Sequence, residues 1–316
     1  MLKPELTAIT KLILKQNYQS DEPGMTLVPI KSGEWSAAYM FSMDNLSFVI
    51  RLSHTPENFC RDKAAAKWSS PGLPIPQIIK MDRYQDQYYA ISPFFHGKPF
   101  EKLSANDLEQ TIPDFLSVMT ALQSISLYSA EGYGTLTSEG QGAFQSWSEA
   151  LLDVKNDHQN SLIHGWKKTL AETPDAQRKF NHFYMQLTEL VRFCPEQKHP
   201  IHSDLLSQNL LVNNHRISAV LDWGCAMIGD PVYDIALISF FEPWYPAFSQ
   251  AGLIHKMRES YFALSSNNSE NFLPRVTAYQ IHLTLSNIAY CLFSEGKHDY
   301  NEHINRLEEI LEENSL

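Results

Sequence analysis

Residues 201–223 read IHSDLLSQNLLVNNHRISAVLDW, and the spacing of their polar residues decides the fold. Asp204 is followed five residues later by Asn209, and Asp222 comes thirteen residues after Asn209. Two short apolar runs separated by a polar turn lie between Asn209 and Asp222, which is typical of a β-hairpin. Because Asn209 precedes the first predicted strand and Asp222 follows the second, the hairpin brings both side chains to the same end.

These three side chains suit phosphoryl transfer, a reaction that depends on positioning and charge neutralisation more than on covalent catalysis. One carboxylate must accept the proton of the attacking hydroxyl, and the pattern assigns this role to Asp204. Mg²⁺ prefers hard oxygen ligands and takes only one or two carboxylates besides phosphates and water. Asn209 and Asp222 supply an amide oxygen and a carboxylate for it. The alternative, a buried hairpin with ordinary polar turns, does not explain why three such groups converge.

The same pattern continues on both sides of the hairpin. Its further members are His202, Trp223, Gly229, Asp230, Pro231 and Asp234. With them the chain resembles the aminoglycoside phosphotransferase family, which also contains choline-kinase-like and macrolide-kinase-like enzymes. Four shorter segments, KPELTA from residue 3, FVIR from 48, LPIP from 73 and AVLDW from 219, are similar to the branch that phosphorylates hygromycin B. The resemblance extends from residue 3 to about residue 295.

The resemblance implies an α+β, two-lobe, protein-kinase-like fold. We expect a small N-terminal antiparallel-sheet lobe, residues 1–95, that binds the nucleotide. A larger and mostly helical C-terminal lobe, residues 96–316, would carry the catalytic and substrate-binding residues. ATP and Mg²⁺ would bind in the cleft, with GTP as an alternative donor. The resemblance implies that Asp234 braces the catalytic loop by hydrogen bonds and does not react. We expect His202 to brace the loop as well, with a catalytic proton role as its alternative.

Two segments of the small lobe are predicted to cover the nucleotide. Kinases cover phosphates with backbone amides of a small-residue turn between two strands. Ser32, Gly33 and Ser36 occupy such a turn, although its single glycine also fits an ordinary hairpin loop. Family members bind adenine through the backbone where the lobes join, and Ser92 and Phe94 lie there. Phe94 is equally expected in the core between the lobes.

Arg51 ends a predicted strand at the position where kinases usually carry a phosphate-binding lysine. An arginine can bind phosphate through two parallel hydrogen bonds, and an ion pair at the strand end is its alternative role. The predicted helix Glu57–Trp68 should supply an acidic partner, but it has no glutamate at its centre. Asp62 is the best candidate for this partner, and Glu57 is the second.

Composition excludes several classes of protein. The 316 residues are 43% hydrophobic and 12% aromatic, which is enough for two packed lobes. No apolar run approaches the ~18 residues of a membrane span, and the first residues lack the apolar core of a signal peptide. The four cysteines are widely spaced and form no metal or disulfide pattern. We therefore expect a cytoplasmic protein without membrane contact. We also expect a monomer, an expectation that does not follow from composition.

The charge is divided unevenly between the predicted lobes. Residues 1–100 contain 11 Lys and Arg and 9 Asp and Glu, whereas residues 101–316 contain 14 and 27. A mildly basic lobe suits a nucleotide polyphosphate. A strongly acidic lobe suits a cationic partner and argues against nucleic acid. A solvated acidic surface is the alternative explanation for the excess.

The acidic lobe and the resemblance together indicate a small, cationic amino-sugar acceptor. We expect hygromycin B, which would make the chain an antibiotic-resistance kinase. Glu242, Trp244 and Tyr245 are candidate acceptor contacts because they follow a helix that starts at the site, although core packing is equally expected for the two aromatics. One alternative is a kinase of a choline-like, amino-alcohol or sugar metabolite. Another is a nucleotide-binding regulator with little catalysis, suggested by Arg51 and by the missing central glutamate.

Three local predictions concern elements around the site. Asp230 and Pro231 are predicted to begin a helix, with the aspartate as its N-cap. Strands are predicted at residues 77–81 and 87–91. The glycine-rich residues 129–143 are expected to form an irregular surface segment, since no strand–loop–helix pattern surrounds them.

Overall fold

A five-stranded antiparallel sheet forms most of the N-terminal part of the computed structural model, which describes residues 4–18, 26–30, 36–264, 270–294 and 299–313. Its strands are β1 Val28–Ile30, β2 Ala37–Met43, β3 Leu46–Ser53, β4 Lys80–Tyr84 and β5 Gln87–Pro93. They lie in the order β1-β2-β3-β5-β4. Two helices complete this part, α1 Pro4–Tyr18 and α2 Glu57–Ala65.

Alternation along the strands gives this sheet its core face. Successive side chains of a strand point to opposite faces, so every second residue faces the same way. In β2 the alternate residues Ala37, Tyr39 and Phe41 are buried. Ile13 and Leu14 of α1 belong to the same apolar cluster. This helix therefore covers one face of the sheet.

The C-terminal part is mostly helical. Its helices are α3 Ala105–Ser124, α4 Trp147–Leu152, α5 Trp166–Ala171, α6 Pro174–Leu190, α7 Val232–Phe241, α8 Pro246–Gln250, α9 Leu253–Leu264, α10 Phe272–Phe293 and α11 Tyr300–Glu313. Helix α10 packs against α5, α6, α7 and α11. Because it has neighbours on several sides, it is apolar around much of its circumference. Short 3₁₀ helices include Ala66–Trp68, Phe100–Lys102, Trp223–Cys225 and Glu242–Trp244.

Two small antiparallel sheets lie among the described residues of the C-terminal part. One contains β6 Lys98–Pro99, β10 Leu210–Asn213 and β11 Arg216–Val220, in the order β11-β10-β6. The other contains β7 Tyr133–Leu136, β8 Gly142–Phe144, β9 His199–Ile201 and β12 Met227–Gly229, in the order β8-β7-β12-β9. The predicted hairpin is confirmed as β10 and β11. Its two turn residues, Asn214 and His215, both have positive φ, as a tight hairpin turn requires.

The two apolar cores do not follow chain order. The smaller core joins α1 to β2, β3 and β5. The larger core contains the helical part and also takes in Ala64, Ala65, Leu73 and Ile75. The end of α2 and the residues after it therefore pack with the helical part, although they precede residue 95.

The prediction for residues 129–143 was wrong, because they form the hairpin of β7 and β8. Glycine here allows a close approach of two backbones. Gly132 has φ +69°, and a Cβ at that position would lie 2.4 Å from the carbonyl oxygen of Gly142. β7 continues the sheet by pairing with β12, where Thr135 lies opposite Met227. In the sequence these glycines indicated a loop, whereas in the structure they permit close contact between strands.

Two smaller corrections concern element boundaries. The strand predicted at 77–81 runs from Lys80 to Tyr84. It is an edge strand with mostly polar, solvent-facing residues, so it lacks the apolar alternation that would have located it. Helix α7 has Pro231 as its N-cap, one residue later than predicted. Asp230 still accepts a hydrogen bond from the Val232 amide at 3.2 Å. No helix in the described ranges is long and apolar enough to span a bilayer.

Candidate active site

The loop after β9 carries Asp204, and Asp234 in the first turn of α7 binds the backbone of this loop. The Asp234 carboxylate accepts hydrogen bonds from the amides of His202, at 3.0 Å, and Ser203, at 2.8 Å. Ser203 has φ +58°, a conformation that non-glycine residues rarely adopt. Burial raises the Asp234 pKa to about 6, and the two amides oppose that shift. The two hydrogen bonds stabilise a strained loop at the point where it turns.

His202 links this loop to the residue before Asp222. Its Nε2 donates to the Leu221 carbonyl at 2.8 Å, and its Nδ1 accepts from the Asp204 amide at 3.2 Å. A carbonyl only accepts and an amide N–H only donates, so the ring proton lies on Nε2. The side chain is fully buried, and burial lowers its pKa to about 4. The His202 imidazole is therefore neutral at neutral pH, and it links the catalytic loop to the backbone before Asp222.

Asp204 is oriented by Asn209. The Asn209 Nδ2 donates to the Asp204 backbone carbonyl at 2.8 Å and to its Oδ2 at 3.0 Å. Burial, followed by repulsion from the carboxylate of Asp222, raises the Asp204 pKa to about 7. A carboxylate with a pKa near the working pH is well suited to accept a proton during a reaction.

Asn209 and Asp222 meet at the open end of the β10–β11 hairpin. The Leu221 amide donates to the Asn209 carbonyl at 2.7 Å, which extends the ladder to this end. Because the Asn209 Nδ2 is directed to Asp204, its Oδ1 faces away from that residue. Asp222 lies at φ 55° and ψ 76°, and its Oδ1 accepts a long hydrogen bond of 3.4 Å from the Gly224 amide.

This pair of oxygen donors fits magnesium. A site completed by nucleotide phosphates and water needs only one or two protein carboxylates. Within the described ranges no group of three or more His, Cys, Asp or Glu side chains could hold a metal by itself. Asn209 and Asp222 are therefore suited to share a magnesium ion with a bound nucleotide and not to enclose one alone.

Arg51 and Asp62 form the ion pair that the sequence predicts. The Arg51 Nη2 contacts the Asp62 Oδ2, and the guanidinium lies 5.1 Å from the centre of the Phe59 ring. Burial lowers the pKa of Arg51, but the carboxylates of Asp62 and Asp222 raise it above its ordinary value. Glu57, the second candidate partner, is exposed. Arg51 thus lies within electrostatic reach of Asp222, on the small-lobe side.

The remaining predicted nucleotide contacts are placed only in part. Ser32 and Gly33 lie outside the described residues, and Ser36 is half-buried just before β2. Ser92 pairs with Val49 in the ladder between β3 and β5. The Phe94 amide donates to the Ser47 carbonyl at 2.9 Å. Both residues therefore lie at the end of β5 where the chain leaves the sheet.

The predicted acceptor residues divide into two groups. Tyr245 is half-buried, and its pKa is raised by burial and then by the carboxylates of Glu101 and Asp204. It therefore lies within electrostatic reach of Asp204. Trp244 is 40% exposed and packs against His303 of α11, with ring centres 6.2 Å apart. Glu242 accepts a hydrogen bond from the Ser249 hydroxyl at 3.0 Å.

Glu101 is a site residue that sequence reasoning missed. It lies in the 3₁₀ turn after β6, and its carboxylate raises the pKa values of both Asp204 and Tyr245. The adjacent Lys102 Nζ donates to the Gln208 Oε1 of the catalytic loop at 3.3 Å. The only signal in the sequence was an acidic residue just after the join between the lobes. A two-residue strand such as β6 is too short to be recognised from its pattern.

Two charged contacts that hold the site were also missed. Asp114 of α3 accepts from the Ile217 amide at 2.7 Å and pairs with Arg216 at 2.6 Å, which fixes the outer strand of the hairpin. Arg275 of α10 pairs with the buried Asp230 at 2.7 Å. Each contact joins residues more than forty positions apart, so local spacing could not indicate it.

Comparison with known sequences finds relatives along nearly the whole chain. Residues 26–262 match the model of a family described as the phosphotransferase enzyme family. Hygromycin-B 4-O-kinase from Escherichia coli is 28% identical over 307 residues, which are 95% of this chain and 83% of that protein.

Solved structures share the fold over a similar extent. A thermostable mutant of aminoglycoside phosphotransferase APH(4)-Ia, in a ternary complex with AMP-PNP and hygromycin B, superposes with a TM-score of 0.82 and 25% identity. The match covers 96% of this chain and 97% of that one. The apo form of a thermostable mutant gives a TM-score of 0.80 at 24% identity, covering 96% and 99% of the two chains.

Proposed function

The chain belongs to the phosphotransferase enzyme family, and from this premise we propose that it is an ATP- and magnesium-dependent O-phosphotransferase. The acceptor is a hydroxyl of an aminoglycoside antibiotic, with hygromycin B as the specific substrate. The observation that carries the reaction type is the convergence of Asp204, Asn209 and Asp222 at one end of a hairpin. The substrate is supported by the E. coli hygromycin-B 4-O-kinase, which is similar over 95% of this chain.

Asp204 acts as the proton acceptor. The acceptor hydroxyl loses its proton to the carboxylate as its oxygen attacks the γ-phosphorus and the bond to the leaving ADP oxygen breaks. Asn209 holds the Oδ2 of Asp204, so the carboxylate keeps one orientation toward the incoming hydroxyl. The neutral His202 fixes the backbone amide of Asp204 and takes no part in the proton transfer.

Asn209 and Asp222 would hold the magnesium ion through the Asn209 Oδ1 and the Asp222 carboxylate. When bound, the ion neutralises charge on the phosphate oxygens and fixes their position. Arg51 contacts the phosphates from the opposite side, and Asp62 orients its guanidinium. Ser36, Ser92 and Phe94 would contact the nucleotide from the small-lobe side.

The acceptor site lies between the catalytic loop and the segment that follows α7. Glu101 and Glu242 provide negative charge for the ammonium groups of an amino sugar. Tyr245 and the partly exposed Trp244 provide aromatic surface against a sugar ring. We propose that the protein acts as a monomer. We place it in the cytoplasm, where ATP is available and its four free cysteines remain reduced.

An acceptor panel tests this proposal. Purified protein with Mg-ATP is given hygromycin B, kanamycin, spectinomycin, a macrolide or choline in turn, and ADP release is followed in a coupled assay. We expect release that depends on hygromycin B. Turnover on choline or another metabolite alone would contradict the substrate and favour a metabolic kinase. Magnesium-dependent nucleotide binding without transfer to any acceptor would instead favour a nucleotide-binding regulator.

A further inference from the structure

Helix α2 is held by the turn that follows Asp222. The Arg61 Nη1 donates to the Gly224 carbonyl at 2.7 Å, and its Nε donates to the Leu136 carbonyl at 2.9 Å. The neighbouring Asp62 accepts from the Trp223 amide at 2.8 Å. Three hydrogen bonds therefore tie two adjacent residues of α2 to the metal-side turn and to the end of β7.

The turn itself packs tightly against α2. A Cβ at Gly224 would lie 2.9 Å from the side-chain amide carbon of Asn58 and 3.1 Å from the Asp222 Oδ1. Trp223 is buried and contacts Trp68, just beyond α2, with ring centres 5.7 Å apart. The turn thus approaches α2 closely enough that a side chain at Gly224 would displace Asn58, and the hydrogen bonds from Arg61 and to Asp62 oppose a shift away from the helix.

Packing makes this contact part of the larger core. Ala64 and Ala65, at the end of α2, belong to the apolar cluster of the helical part. Asp62 contacts Arg51 with one carboxylate oxygen and the Trp223 amide with the other. The phosphate-side guanidinium and the metal-side carboxylate are thus connected through one helix.

We propose that Arg61 is a positioning residue for the magnesium ion. Its bond to the Gly224 carbonyl holds the backbone after Asp222, which lies in the left-handed region, and adds to the hydrogen bond that the Trp223 amide donates to Asp62. Its bond to the Leu136 carbonyl fixes Arg61 itself to β7. The carboxylate of Asp222 is thereby kept within electrostatic reach of Asp204 and the catalytic loop. This inference rests on the proposed function, because it takes Asp222 as a magnesium ligand.

The test separates magnesium binding from nucleotide binding and from turnover. Arg61→Gln removes the charge and one of the two carbonyl contacts, and Arg61→Lys keeps the charge with a single donor group. Lys63→Gln is the matched control, since Lys63 is exposed two residues further along α2. Mg²⁺ is titrated into each protein saturated with AMP-PNP, and the midpoint is read from the tryptophan fluorescence near Trp223 or by calorimetry.

We expect the Mg²⁺ midpoint of Arg61→Gln to rise about tenfold, because removing a residue that supports a metal ligand typically weakens metal binding to this extent. Arg61→Lys should show an intermediate rise, and Lys63→Gln should match the wild type. AMP-PNP affinity without Mg²⁺ should be the same in all four proteins. A merely structural role for Arg61 would lower that metal-free affinity as well.

Equal Mg²⁺ midpoints in the wild type and in the Arg61 variants would overturn the inference. If Arg61→Gln does not fold, the comparison of Arg61→Lys with the wild type decides in the same way. Failure of the proposed function is seen separately. A wild type that binds Mg²⁺ and AMP-PNP but transfers phosphate to no aminoglycoside would contradict the proposed function. The Mg²⁺ titration would still decide whether Arg61 positions the magnesium site.

Discussion

At the scale of single residues, the site is defined by what each polar group can donate or accept. His202 is fixed as neutral because both ring nitrogens have a partner of known direction. In the sequence it stands two residues before the catalytic aspartate, and we expected it to brace the loop. Its protonation state required the structure, because the Leu221 carbonyl lies nineteen residues away in the chain.

Glu101 allows a prediction about the acceptor. Glu101→Gln should raise KM for hygromycin B about tenfold, because loss of one charge-assisted contact to an ammonium costs about 1.5 kcal/mol. KM for ATP should stay the same, since the residue lies on the acceptor side. Steady-state kinetics with each substrate varied would measure both values. Glu109→Gln, an exposed residue of α3, is the control.

The same variant carries a pH prediction. Glu101 raises the Asp204 pKa by repulsion, so its neutral replacement should lower that pKa. The acid limb of the kcat/KM profile should therefore move toward lower pH in Glu101→Gln. An unchanged limb together with an unchanged KM for hygromycin B would show that Glu101 does not act on the site.

At the scale of elements, the hairpin of β10 and β11 was predictable because its signals are local. Apolar runs, a polar turn and two flanking oxygen donors all lie within 23 residues. The contacts that hold this hairpin were not predictable, since Asp114 of α3 comes from more than a hundred positions away. The hairpin of β7 and β8 was missed because glycine is typical of turns and loops. Here the glycines allow two strand backbones to approach each other closely.

Arg275 of α10 and Asp230 before α7 form a buried ion pair between elements, with 3% and 0% of the side chains exposed. Arg275→Met should lower the free energy of unfolding by about 3–5 kcal/mol, because it leaves a buried carboxylate without its counter-charge. Urea denaturation would measure the difference. Arg258→Met, on the exposed side of α9, is the control. A loss no larger than that of the control would contradict the assigned role of the pair.

At the scale of the whole molecule, the sequence predicted two lobes, with a nucleotide-binding lobe before a catalytic and substrate-binding lobe. The boundary at residue 95 remains a prediction, and the cores show why chain order is a poor guide to it. The end of α2 packs with the helical core through Ala64 and Ala65, which no local pattern could reveal. The candidate active site therefore depends on contacts that cross between the two parts.

The stability of the whole molecule should depend on pH through two histidines, the buried His202 and the half-buried His282. Burial lowers the pKa values of His202 and His282 to about 4. Between pH 6.5 and 4 the unfolded chain binds these protons and the folded protein does not, so each imidazole reduces stability as pH falls. Asp204 and Asp234 have raised pKa values and act in the opposite direction. The wild-type curve alone therefore does not isolate the histidines.

A comparison of variants isolates one of them. His282→Gln keeps an acceptor for the Tyr233 hydroxyl and removes the titrating group. We expect this variant to lose about 2 kcal/mol less stability than the wild type when the pH is lowered from 7 to 4.5. Urea midpoints at the two pH values would measure it, with the exposed His255→Gln as control. Parallel losses in all three proteins would contradict the prediction.

The central claim is that Asp204 accepts the proton of an aminoglycoside hydroxyl during phosphoryl transfer. The most direct test is single-turnover transfer from Mg-ATP to hygromycin B, followed as phosphorylated antibiotic, in the wild type, Asp204→Asn and the exposed control Asp82→Asn. We predict transfer in the wild type and control, and a fall of about 10²–10⁴-fold in Asp204→Asn with ATP binding retained. Transfer by Asp204→Asn at the wild-type rate would contradict the account.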